Sequence, residues 1–93
     1  MTIGILKLVL FIQGSNSLKE KRMVMHSLKA KLRNHFNVAL SQIDDGDKWQ
    51  KAGLVVVGVE KDRKNVDSNL CRVVNFVENF DRVDLIDYEI ELI

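Results

Sequence analysis

Two short runs, Ile3 to Ile12 (IGILKLVLFI) and Leu54 to Val59 (LVVVGV), are apolar at nearly every position and rich in β-branched residues. That is the pattern of strands covered on both faces, so both are expected at the centre of a sheet. In the first run Leu6, Leu8, Leu10 and Ile12 share one face, while Ile3, Ile5, Val9 and Phe11 share the other with Lys7. The lysine marks that second face as the one nearer solvent. Two further segments alternate as half-covered edge strands do. They are Val38 to Ile43, and Val83 to Ile93, where Ile86, Tyr88, Ile90 and Leu92 oppose Asp87, Glu89 and Glu91.

Between the first two strands lies Ser17 to Asn37 (SLKEKRMVMHSLKAKLRNHFN), preceded by the turn residues Gln13-Gly14-Ser15-Asn16. Ser17 and Glu20 have the spacing of a capping box, in which the serine accepts from the Glu20 N–H and the glutamate reaches back to the Ser17 N–H. Helix onset is thereby set near Leu18. At 100° per residue Leu18, Val24, Met25, Leu28, Leu32 and Phe36 form the apolar flank, and Lys19, Arg22, His26, Lys29 and Arg33 fall together beside it. A second helix is expected after Asp62, its N-cap, with the stripe Val66, Leu70, Val73, Val77 and Phe80.

The order is therefore β-α-β-β-α-β. Pairing strands 2 and 3 as a hairpin, keeping β-α-β crossovers right-handed and placing strands 1 and 3 centrally leaves the sheet order 4-1-3-2. This is an α+β, ferredoxin-like split β-α-β sandwich with antiparallel strands and both helices on one face. The chain of 93 residues holds one such domain, 1–93, and 46% hydrophobic residues without proline make it globular. The uncovered face would present Ile3, Ile5, Val9 and Phe11 beside apolar residues of strand 3, more contiguous apolar surface than a monomer ordinarily leaves in water, so a homodimer or another partner over it is expected.

Charge is separated along the chain. Ser17 to Asn37 carries six Lys or Arg against one Glu, a net of +5, while the other residues hold eight basic and twelve acidic groups, a net of −4. A local positive field thus exists although the whole chain sums to +1. Cys71 is the sole cysteine, which excludes an internal disulfide, and a partly covered, unreactive thiol is expected. Ile3 to Ile12 is too short to cross a bilayer, lacks a basic leader and contains Lys7. Neither signal peptide nor anchor is read, and the cytoplasm is the expected compartment.

Several pieces occur together in one order: GILKLVL; SLKEKR with a helix ending at FNV; an acidic turn with Asp47-x-Trp49-Gln50-x-Ala52; and VEKDRKNV leading to FVEN. Together they resemble the YlxP-like family of small bacterial proteins, domain of unknown function 503, over nearly the whole chain. Leu18, Lys19, Lys21, Arg22, Asp44, Asp47, Trp49 and Gln50 match that family's recurrent pattern. The resemblance implies a ferredoxin-like fold, no established activity, and genes found beside those for transcription, translation-initiation and ribosome-maturation factors.

The leading expectation is a non-enzymatic module that contacts ribosomal RNA or the ribosome through Lys19, Lys21, Arg22, His26, Lys29 and Arg33, with binding strongly dependent on salt. The alternative is a protein-protein or homodimer module without RNA affinity. A third, weaker reading is an acylphosphatase-like enzyme, because Ser15, Asn16 and Ser17 precede a helix whose free N–H groups attract anions. Against it, this loop holds no arginine before the helix and Glu20 already occupies the helix's positive end. The sheet face is a poor platform for bases, since its edge carries Asp87, Glu89 and Glu91. Trp49, near a hairpin end, is expected to close the core or a dimer contact. Asp44, Asp45 and Asp47 read as turn formers rather than a calcium loop. His26 and His35 lack partners at metal spacing, so no metal, cofactor or small-molecule substrate is expected.

Overall fold

In a computed structural model of the chain, which describes residues 1–46 and 48–93, the two doubly apolar runs lie side by side at the middle of a four-stranded sheet. The elements are β1 (Thr2–Ile12), α1 (Leu18–His35), β2 (Ala39–Gln42), β3 (Lys51–Glu60), α2 (Arg63–Glu78) and β4 (Val83–Leu92). Their order across the sheet is β2-β3-β1-β4, every neighbouring pair antiparallel. This is the expected order, and the arrangement is consistent with a ferredoxin-like sandwich.

Parity along β1 decides where the core sits. Leu6, Leu8, Leu10 and Ile12 are buried with Ala52, Leu54 and Val56 of β3, and both helices pack on this one cluster. α1 contributes Val24, Met25, Leu28 and Leu32; α2 contributes Val66, Leu70, Val73, Val74 and Val77. At Gly4 α2 lies close on β1, since a Cβ there would run into the side chains of Val66 and Leu70. On the opposite parity the register sets Ile3 beside Val59, Ile5 beside Val57 and Lys7 beside Val55. Ile3, Ile5 and Val9 are half-buried and Phe11 is 38% exposed, so this face is the open one.

Several expectations are corrected in detail. β4 does not keep one alternation. Leu10 faces Leu85 while Val9 faces Asp87, which leaves Ile86 unpaired in a β-bulge and 62% exposed. Only Leu85, Ile90 and Leu92 of that strand then lean on the core beside the buried Val83. Asp62 is the N-cap of α2 through its carbonyl, which accepts from the Asn65 and Val66 N–H groups, and its side chain makes no capping bond. α1 ends at His35 rather than Asn37, and Phe80 lies past α2 although it still packs against the core. Cys71 is exposed rather than partly covered.

Candidate nucleic-acid interface

The cap that starts α1 forms largely as its residues require. Ser17 Oγ accepts from the Glu20 N–H at 3.1 Å, but Glu20 Oε2 accepts from the Asn16 N–H at 3.3 Å, one residue earlier than a standard box. From this anchor the cations of the expected stripe take their places. Lys19, Arg22, His26 and Arg33 are exposed and Lys29 is half-exposed. Among the described residues none of the five has an ion-pair partner, whereas Lys7, Lys21 and Arg82 all do. From Lys19 to Arg33 the stripe runs about 21 Å at 1.5 Å per residue.

Lys21 departs from its expected role as a phosphate contact. Its side chain is buried, 3% of the residue's surface remaining, and the ammonium donates to the Lys48 carbonyl at 2.7 Å while pairing with Asp44 Oδ2 at 2.9 Å. Asp44 in turn accepts from the Gly53 N–H at 3.0 Å and the Gln42 amide at 2.8 Å. Burial raises the pKa of this carboxyl, but the Gly53 N–H, the Lys21 ammonium and the Gln42 amide outweigh it and hold the group below its ordinary value. Two residues of the recurrent pattern thus meet to fasten the β2–β3 loop onto the first turn of α1. Gln50 completes the fastening: its carbonyl accepts from the Ile12 N–H at 2.7 Å, and its amide donates to the Ser15 carbonyl at 3.4 Å.

The loop before α1 is already committed to internal bonds. Ser15 is buried with its hydroxyl donating to the Ser17 carbonyl, Ser17 Oγ serves Glu20, and the Asn16 N–H serves the Glu20 carboxylate. Arg82, 3.5 Å from Glu20, also donates to the Gln13 carbonyl. An anion at Ser15, Asn16 and Ser17 would have to displace the carboxylate of Glu20.

Trp49 does not close the core; it is 53% exposed. It shares a cleft of about 480 Å³ with Phe11, Lys48, Gln50 and Lys51. Sequence reasoning treated Phe11 and Trp49 separately and passed over Lys48 and Lys51. The signal was the β1–β3 register, which sets Phe11 opposite Lys51. A second cleft, about 420 Å³, lies on the α1 side of the same loop between Leu18, Lys21, Arg22, Gln42, Asp44 and Gly46. Asp47 of the acidic turn lies outside the described residues. Among those described, no three His, Cys, Asp or Glu side chains gather as a metal site, and no helix is long and apolar enough to cross a membrane.

Comparison with known proteins agrees with this framework. The chain is similar over its full length to the de novo designed protein Foldit4, with a TM-score of 0.51 over 94% of that chain and 8% identity, a likeness of fold alone. It is 32% identical over 82 residues to the uncharacterized protein YlxP of Bacillus subtilis (strain 168), covering 88% of this chain and 89% of YlxP. The family described as "Protein of unknown function (DUF503)" matches residues 3–90. With the matched region reaching into every element of the fold, the chain belongs to the DUF503 family.

Proposed function

We propose that this chain is a non-enzymatic RNA-binding module that grips the phosphates of ribosomal RNA through Lys19, Arg22, His26, Lys29 and Arg33. The observation that carries the reading is that these five side chains lie on one flank of α1 without ion-pair partners among the described residues. Unpaired, solvated cations spaced over about 21 Å can each neutralise a phosphate and release its counterion, which is the main source of affinity for a nucleic-acid backbone. Lys21 supports the stripe from inside by fixing the first turn of α1 to the β2–β3 loop. The fold is read as a ferredoxin-like split β-α-β sandwich, and the compartment as the cytoplasm.

Filter binding to ribosomal RNA fragments across a salt series tests this. Replacing Lys19, Arg22, Lys29 and Arg33 by Ala should abolish most affinity at low salt; unchanged affinity removes the helix from the account.

A second reading, a protein-protein module that dimerises across the open sheet face, is favoured by one observation. Ile3, Ile5, Val9, Val55 and Val57 form an apolar ladder there with the exposed Phe11 and Val59. Light scattering after gel filtration decides it, a clean monomer at micromolar concentration counting against the dimer.

A further inference from the structure

We infer that the cleft between Trp49 and Phe11 is a stacking site for an unpaired base of single-stranded RNA, an inference that rests on the RNA-binding reading above. Trp49 is the one tryptophan of the chain, and it is left 53% exposed where water covers its ring at a cost. The exposure is not the looseness of a free loop. The Lys48 carbonyl on one side of it is held by the Lys21 ammonium at 2.7 Å, and the Gln50 carbonyl on the other by the Ile12 N–H at 2.7 Å. A backbone held on both sides of the tryptophan costs little further ordering when a base lies on the ring, which is what a stacking platform requires.

The lining supplies the complementary charge. Lys48 and Lys51, both exposed, line the same cleft as Phe11 and Trp49, and Gln50 lies between them in sequence. A cleft that combines two aromatic residues with two lysines suits a nucleotide, whose base is apolar on its faces and whose phosphate is anionic. The acidic edge does not cancel this. Asp87, Glu89 and Glu91 pair with β1 from the β4 side, opposite the β3 strand that carries Lys51. Asp84, which does face Phe11, accepts a hydrogen bond from the Gln13 amide at 2.7 Å. The loop that carries the cleft is tied to the start of the basic helix, since the buried Lys21 of α1 holds the Lys48 carbonyl.

The test uses the full chain, a 12-nucleotide oligouridine and a blunt 12-base-pair RNA duplex, at one fixed salt concentration. The single tryptophan reports on its own site. Oligouridine should quench its fluorescence, and the duplex, whose bases are already stacked, should not. Trp49→Ala should weaken oligouridine binding roughly 5- to 150-fold, as loss of one stacked base does, and leave duplex affinity within about twofold. Trp49→Phe should restore most of the loss, and Lys48→Ala with Lys51→Ala should weaken oligouridine binding with Trp49 in place. Because the ring is exposed, these variants should keep the fold, and circular dichroism checks it. If oligouridine and duplex bind the wild type but Trp49→Ala changes neither, the cleft is overturned and the helix stripe stands. If neither RNA binds the wild type, both readings fall. If Trp49→Ala instead converts a dimer to a monomer without altering RNA affinity, the cleft is a contact between copies and the inference is overturned.

Discussion

Lys21 Nζ and Asp44 Oδ2 lie 2.9 Å apart across 23 positions of sequence, one group from the first turn of α1 and the other from the exit of β2. The pair is asymmetric, because the lysine side chain keeps 4% of its surface and the aspartate 25%. Removing the aspartate therefore strands a buried charge, whereas removing the lysine leaves a carboxylate that still has the Gly53 N–H, the Gln42 amide and some water. Asp44→Ala should cost about 2 kcal/mol, below the full penalty of a buried pair because solvent reaches one side. Lys21→Met, which fills the same space without charge, should cost less. Urea unfolding of both variants checks the order. Equal losses, or none for Asp44→Ala, would show that the clamp does not hold the loop.

The same carboxyl gives the fold a pH dependence of known sign. Its folded-state pKa lies below the ordinary 3.8, so the folded state binds fewer protons than the unfolded one in that range. The stabilisation is complete above the ordinary value and is lost as pH falls through it towards the lower folded-state pKa. The stability difference between wild type and Asp44→Asn should be constant near neutrality and shrink as pH falls below about 5, once the carboxyl begins to protonate in the unfolded chain. Urea midpoints of the two proteins at stepwise lower pH measure this, and a difference that widens with acid contradicts the clamp.

Glycines test how tightly the loop and helix are laid on the sheet. A Cβ on Gly53 would collide with the backbone carbonyl of Ile43, which cannot rotate away because the Ile43 N–H is itself bonded to the Gly53 carbonyl at 3.0 Å. A Cβ on Gly4 meets side chains rather than backbone, those of Val66, Leu70 and Leu92, and one on Gly58 meets nothing closer than 3.7 Å. Substitution by Ala should thus be worst at Gly53, intermediate at Gly4 at about 1–3 kcal/mol, and near neutral or stabilising at Gly58. Thermal midpoints of the three variants rank them directly.

How much of this could be read in the chain depended on whether the signal was local. The parity of Leu6, Leu8, Leu10 and Ile12 against Ile3, Ile5, Val9 and Phe11 is a property of neighbouring residues, and it placed the core and the sheet order. The cap at Ser17 and the stripe from Lys19 to Arg33 follow from helical spacing in the same way. Burial of Lys21 was only half legible. At 100° per residue it lines up with Met25, Leu28 and Leu32 on the apolar flank, but the partners that let a cation stay there, Asp44 and the Lys48 carbonyl, come from the return of the β2–β3 loop, which no local spacing shows. The bulge at Ile86 and the shared cleft of Phe11 and Trp49 were hidden for the same reason, each being set by pairing between distant strands or loops.

Among the described residues Arg82 is the non-glycine residue with a positive φ, 67°, in the turn that enters β4. Left-handed backbone costs a side-chain-bearing residue about 1–2 kcal/mol, offset here by what the guanidinium does: it donates to the Gln13 carbonyl at 3.1 and 3.2 Å and meets Glu20. Arg82→Ala loses those contacts and keeps the strain; Arg82→Gly loses them and removes it. The glycine variant should be the more stable of the two by about 1 kcal/mol, both lying below wild type. If alanine proves the better tolerated, the turn does not hold the left-handed conformation.

The RNA reading makes a quantitative claim about salt that separates a geometric stripe from mere positive charge. Four phosphate contacts by Lys19, Arg22, Lys29 and Arg33 on a duplex should give log K a slope of about −4 against log salt, and each single Ala substitution should reduce that slope by about 1. Lys31 is the control. It carries the same charge on the same helix and is exposed, but its ammonium sits 5.3 Å from the centre of the Phe80 ring, off the stripe. Lys31→Ala should therefore leave the slope unchanged while Arg22→Ala lowers it. Equal effects at Lys31 and Arg22 would mean that the chain attracts RNA by its overall field, with no defined path along α1.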